Sequence, residues 1–331
     1  MKKLLVSLVA LMMTTVVSAQ IVREAPKPSE AEFRKAVKTM LYKTSCLDLT
    51  PERLKAMEIT QDMINHFTTT EFKAFWGLSD WYEIENQERF GVPYFLRASI
   101  DKILKEVRST KLKDGQVAVW LLYNMAYVIK TPTHTFGIDL RAKRLDELMK
   151  YIEFSMITHA HGDHWAYACV TPSKKEGKPL YANFNIKGGD VTKVSHGDVI
   201  KYDDITIRCT IGDHNKKLKN FVVAYEIDCG PRTNNTIIYH AGDTNNYTQL
   251  NPENPVDIFI PHMAVGLDIQ SAIDNIQPKY VLLSHIQELG HSVDKWRWTF
   301  DDALKRKKQL SHDKVLIPCW GERIIYTKKA E

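Results

Sequence analysis

Apart from its apolar side chains, this sequence has little that could hold a fold together. Its 331 residues include only 5 cysteines, an odd number that excludes a dense disulfide framework. Glycine (15) and proline (13) are too sparse for collagenous or low-complexity architecture. Charge of one sign is also missing. With 45 Lys and Arg against 40 Asp and Glu, the net charge is +5, too even for a dedicated nucleic-acid binder. Beyond the first twenty residues no run is long and apolar enough to cross a bilayer, and no internal repeat recurs at a fixed period. What is present is globular: 44% hydrophobic and 26% charged residues, with length for one large domain or two modest ones.

The amino terminus stands apart. Met1-Lys2-Lys3 is basic, Leu4–Val17 is uncharged and apolar, and Val17-Ser18-Ala19 places small residues where signal peptidase cuts. This pattern predicts a signal peptide over residues 1–19 and a periplasmic or secreted mature chain with no membrane span. From Glu30 to about Ser109 the texture is helical. Thr50-Pro51-Glu52 is a helix start, with a capping hydroxyl, a first-turn proline and an acid. Ile100, Ile103, Leu104 and Val107 repeat at helical spacing. Aromatics crowd this region: Phe72, Phe75, Trp76, Trp81, Tyr82, Phe90, Tyr94 and Phe95. They either pack the helices onto the next layer or line a pocket.

After Gly115 the chain breaks into short β-rich runs between turn residues. They are Val117–Leu122, Tyr127–Lys130, Phe154–Ile157, Val199–Tyr202, Ile205–Ile211, Phe221–Ile227, Thr236–Tyr239, Val256–Ile260, Tyr280–Leu283 and Val315–Ile317. Helical stretches fall around Gln270–Asn275 and Asp294–Gln309, and Lys305–Lys308 reads as a solvated helix face. The expected organisation is a helical region over 20–115 and an α/β domain of packed sheets with outer helices over 116–331.

The chemistry concentrates in His159-Ala160-His161-Gly162-Asp163-His164, where four metal-competent side chains follow an apolar run directly. His159 and His161, two apart, point the same way in extended chain and can grip one ion. Three other β-runs end alike, in Gly212-Asp213-His214, His240-Ala241-Gly242-Asp243 and Ser284-His285. Imidazole and carboxylate donors without thiolate suit Zn²⁺, and also Mn²⁺ or Fe²⁺. A pair of such ions makes a hydroxide available near neutral pH for attack on a carbonyl or phosphoryl centre. Asp163, or a metal-bound water, is the natural proton carrier to the leaving group.

In the order of these motifs, the stretch from about Gln116 to Trp320 resembles the metallo-β-lactamase superfamily. That likeness implies an αββα four-layer sandwich, here behind an N-terminal helical extension. It implies one metal on His159, His161 and His214, a second on Asp163, His164 and His285, and Asp243 bridging them. Asp139, in Phe136-Gly137-Ile138-Asp139, matches the family's supporting aspartate. His262 and His291 are candidate substrate contacts or supports, His240 is a support, and His66, His134, His196 and His312 are surface or structural. Pro278–His285 is more similar to the branch of ascorbate-phosphate lactonase and N-acyl phosphatidylethanolamine phospholipase D than to true β-lactamases. The implied protein is an exported, two-zinc hydrolase of a small ester, lactone or amide, with no nucleic-acid partner. A phosphodiesterase of a nucleotide or lipid headgroup and an inactive metal-binding relative are the alternatives. Intact mass spectrometry of protein from the native host should find Gln20 as the first residue; an intact Met1 in soluble cytosolic protein would contradict export.

Overall fold

The structure, a computed structural model, describes residues 25–292 and 295–330. The signal peptide expected over 1–19 lies outside the described residues. Five helices open the described chain: α1 (Glu30–Tyr42), α2 (Pro51–Asn65), α3 (Thr69–Gly77), α4 (Trp81–Gln87) and α5 (Gly91–Ser109). Their starts are written in the sequence. Ser29 and Thr68 form capping boxes with Glu32 and Glu71, and the Thr50 hydroxyl accepts from the Arg53 amide with Pro51 in the first turn. Among the described residues no helix is long and apolar enough to cross a membrane.

Fourteen strands follow: β1 (Gln116–Tyr123), β2 (Ala126–Lys130), β3 (Thr135–Ile138), β4 (Ser155–Met156), β5 (Leu180–Ala182), β6 (Thr192–Lys193), β7 (Val199–Tyr202), β8 (Ile205–Gly212), β9 (Val222–Asp228), β10 (Ile237–His240), β11 (Ile258–Ile260), β12 (Tyr280–Leu282), β13 (Val315–Leu316) and β14 (Arg323–Thr327). They form two seven-stranded sheets, ordered β14-β1-β2-β3-β4-β5-β6 and β13-β12-β11-β10-β9-β8-β7. Short helices intervene: α6 (Leu145–Met149), α7 (Tyr167–Lys175), α8 (Ile269–Ile276) and α9 (Phe300–Gln309).

Strand direction places the chemistry. In the first sheet β3, β4 and β5 are parallel, and β1 runs with them because β2 is antiparallel to both β1 and β3. In the second sheet β10 to β13 are parallel, and β8 runs with them across antiparallel β9. Strands that run together end together. Asn124, Asp139 and His159 follow β1, β3 and β4; His214, Asp243, His262 and His285 follow β8, β10, β11 and β12.

Most expected β-runs form strands with ends shifted by one or two residues. The helix expected over Asp294–Gln309 is a correction: Trp296–Thr299 is not helical, and α9 begins at Phe300 behind a Thr299–Asp302 capping box. The capping residues end the apparent periodicity. Of the aromatics, Phe72, Phe75 and Phe95 are buried, while Trp81, Tyr82 and Phe90 are exposed. The buried ones pack: Phe95 lies 5.1 Å from Trp320, and Phe72 lies 6.3 Å from Tyr123 of β1.

One buried ion pair ties the helices to the sandwich. Arg53 of α2 is wholly buried and donates to the Glu322 carboxylate at 2.7 Å and to the Ile317 carbonyl at 3.0 Å. Glu322 also accepts from the Cys46 and Cys319 amides. Losing one partner strands the other charge inside. Glu322→Ala should therefore cost about 3–5 kcal/mol in denaturant unfolding. Joint replacement, Arg53→Met with Glu322→Leu, should cost less than that single change.

Candidate metal centre

The loop after β4 is short and tight. The Thr158 amide and hydroxyl donate to the Asp139 carboxylate at 2.7 and 2.8 Å, and the His164 amide turns back to the His161 carbonyl. Asp139 itself stands in left-handed backbone (φ 51°), as does His285 (φ 64°), a local cost of the kind kept at functional sites. Gly242 (φ 53°) is required as well. A Cβ there would lie 2.7 Å from Val222 and 2.9 Å from Thr158, blocking the approach that brings Asp243 against the histidine loop.

The side chains meet around Asp243, whose carboxylate is 3.3 Å from His164 Nε2, 3.5 Å from His214 Nε2, and 3.8 Å from both His159 and His285 Nε2. His159 Nε2 is 3.0 Å from His161 Nδ1. Asp163 lies 3.3 Å from His285 and 3.4 Å from His164. Four triads thus hold donor atoms within 4.8 Å of one another: His159–His161–His214, Asp163–His164–His285, His159–His164–Asp243 and Asp243–His262–His285. All seven residues expected as ligands are brought to one place.

These donors fit a pair of cations. His164 Nδ1 is 2.7 Å from the Asp139 carboxylate, so its second nitrogen, Nε2, is presented inward; that atom and Asp243 Oδ1 are buried without a hydrogen-bond partner. Such orphaned atoms need a counterpart. A carboxylate behind a ligating histidine is the usual means of fixing its tautomer and aim. Burial, and then the neighbouring His164, hold His159 well below the ordinary histidine range, leaving it neutral. Burial disfavours charge on His164 too, but Asp243, Asp163 and Asp139 outweigh it and push its ring well above that range. The local field therefore asks for positive charge at this point.

His262 joins the cluster, its ring stacked 4.0 Å from that of His285. Its Nδ1 accepts from the Ala264 and Val265 amides at 2.8 and 2.9 Å, so a neutral ring carries its proton on Nε2. That nitrogen points at Asp243 from 4.0 Å. A protonated nitrogen is a hydrogen-bond donor, not a metal ligand. His291 stands further out, its Nδ1 held 2.7 Å from buried Glu288. His240 is structural: its Nε2 is 3.0 Å from the Met125 carbonyl, and its Nδ1 accepts from the Gly242 amide.

Two contributors escaped the sequence reading. Asn124, a left-handed residue (φ 52°) in the β1–β2 turn, donates to Asp163 at 3.0 Å and accepts the His285 amide at 3.2 Å. An asparagine between two strands reads only as a turn former. The second is the wall formed by Trp296 and Trp298. A cavity of about 720 Å³ opens over the cluster, lined also by Asn215, Ala264 and Val265. Arg297 anchors this wall to the helical layer, donating to the Ile64 and Phe67 carbonyls at 2.9 and 2.6 Å.

No protein-family model matches the chain, and no curated protein does. Solved structures do. The metallo hydrolase Igni18 from the hyperthermophilic archaeon Ignicoccus hospitalis matches at 17% identity over 65% of this chain and 100% of that one, with a TM-score of 0.50. A possible metal-dependent hydrolase from Veillonella parvula matches at 16% identity over 62% and 98%, with a TM-score of 0.48. The metallo-β-lactamase fold protein YhfI from Bacillus subtilis matches at 14% over 64% and 100%, with a TM-score of 0.46. The likeness to Igni18 is one of fold, and the two seven-stranded sheets with their flanking helices form the α/β sandwich that the motif order implied.

Asp139→Asn keeps the shape but weakens the hold on His164. Metal affinity, read by chelator competition, should fall about 10–100-fold with the fold intact; unchanged affinity would contradict the supporting role.

Proposed function

We propose that this chain is a dinuclear metal-dependent hydrolase of a small ester, lactone or amide with an apolar body. One observation carries the reading: seven imidazole and carboxylate side chains from four strand ends converge at the base of a small-molecule-sized cavity. His159, His161 and His214 would hold one ion and Asp163, His164 and His285 the other, with Asp243 within reach of both; zinc would suit the donors, with Mn²⁺ or Fe²⁺ as substitutes. When bound, such a pair supplies Lewis acidity and lowers the pKa of water so that a nucleophile exists near neutral pH.

The chain's own residues do the rest. Ala264, Val265, Trp296 and Trp298 give the substrate an apolar wall and exclude water. His262 presents its Nε2 hydrogen beside Asp243, where it stabilises negative charge growing on the oxygen under attack. Asp163, held by Asn124, carries the proton to the leaving group. His291, braced by Glu288, contacts the substrate at the outer wall. Among the described residues, none lining the cavity is Lys or Arg, which favours an uncharged reacting group over a phosphodiester.

A phosphodiesterase is the second reading, favoured by exposed Lys216 and Lys217, which directly follow His214 and Asn215 on the same loop. Zinc-loaded protein assayed against aryl esters and lactones on one side, and bis-p-nitrophenyl phosphate on the other, decides between them. The signal-like pattern over residues 1–19 supports a reaction outside the cytoplasm.

Two substitutions separate catalysis from binding. Asp243→Asn removes the one negative charge shared by both ion positions and should lose most activity together with one metal equivalent. His291→Ala should raise KM or shift substrate preference with metal content intact. Full activity and two metals in Asp243→Asn would contradict the bridging role, and loss of metal in His291→Ala would mean that His291, not His285, is the ligand.

A further inference from the structure

A second cluster lies at the far end of the sandwich. His134 closes the turn between β2 and β3, in the first sheet, and Asp203-Asp204 form the turn between β7 and β8, in the second. Strands β3 and β8 both run from this cluster toward the rim, ending there at Asp139 and His214. No part of the proposed reaction uses it. We propose that His134, Asp203 and Asp204 form a separate divalent-cation site, fitted to zinc, that clamps the two sheets together at the end away from the reaction.

His134 is only 8% exposed. Its Nδ1 is 2.7 Å from the Glu153 carboxylate, the same arrangement that fixes His164 at the rim. Its Nε2 faces Asp204 Oδ1 at 3.1 Å and Asp203 Oδ2 at 3.2 Å. Yet Nε2 and Asp204 Oδ1 are both buried with no hydrogen-bond partner. Two polar atoms 3.1 Å apart whose geometry makes no hydrogen bond between them can share a third partner. The three donor atoms lie within 4.8 Å of one another. Ligands of a tetrahedral zinc, each about 2.0–2.2 Å from the ion, stand about 3.3–3.6 Å apart. The observed separations need little adjustment to admit the ion.

Charge gives the same answer. Glu153, Asp203 and Asp204 are three carboxylates, and among the described residues no lysine or arginine pairs with any of them. A protonated His134 leaves the cluster two charges negative, whereas a neutral His134 with a dication leaves it one. Burial works against charge on His134, but Glu153, Asp204 and Asp203 outweigh it and raise the ring above its usual value. Asp203 is exposed, its side chain 76% accessible, so an ion can enter and keep a water as its fourth partner.

The test is zinc alone, added to full-length protein and followed by removal of excess. Wild type should retain one zinc per chain more than the double variant Asp203→Asn/Asp204→Asn, with aryl-ester hydrolysis the same in both. Glu153→Gln keeps all three donors and should weaken that one zinc by about 10–100-fold in chelator competition, leaving the others unchanged. If the double variant does not fold, Asp203→Asn alone should show the same selective weakening. Equal zinc content in wild type and variant, or an unchanged affinity profile, overturns the site and leaves a buried imidazolium among carboxylates. Because the readout is a difference between variants, it stands or falls independently of how many ions the rim holds.

Discussion

The Asp243 carboxylate is 3% exposed and ringed by His159, His164, His214, His262 and His285. A bare carboxylate there would be costly, and so would several protonated imidazoles packed edge to edge. Burial drives His159 and His262 toward the neutral form, whereas Asp243, Asp163 and Asp139 draw positive charge onto His164. Neutral donors around buried anions are at rest only with cations among them. The fold is arranged to make that cluster possible: parallel strands in both sheets finish at one rim, Gly242 permits the close approach, and Asp139 aims His164.

The helical layer takes part in this arrangement as well as covering it. Arg53 and Glu322 fix the segment that joins β13 to β14, and Arg297 ties the tryptophan wall of the cavity to the end of α2. Tyr123, at the end of β1, donates to Glu288 and accepts from the Leu289 amide, bracing the same loop from below. The pocket wall is therefore braced from both the helical layer and β1, and the Gln287 amide, donating to the Trp298 carbonyl at 2.7 Å, joins it to the segment that carries His285.

The metal cluster was legible because its chemistry is local. His159 to His164 lie within six residues, and the remaining donors each close an apolar run, so strand ends could be matched to ligands one by one. Other features required the third dimension. The single asparagine at 124 looks like turn punctuation until β1 is placed beside β4. His134 looks incidental until the β7–β8 turn brings two aspartates to it. Strands β5 and β6, three and two residues long, are too short to carry a period. The Trp296–Trp298 stretch falls within the expected helix, but the Thr299–Asp302 capping box starts that helix only at Phe300.

The central claim is that two ions share Asp243 at this rim. Anomalous diffraction from crystals of zinc-reconstituted protein measures it directly. The account expects two peaks about 3.5–4 Å apart. One should lie among His159, His161 and His214, the other among Asp163, His164 and His285, with Asp243 touching both. A single peak, or none within reach of Asp243, would contradict it.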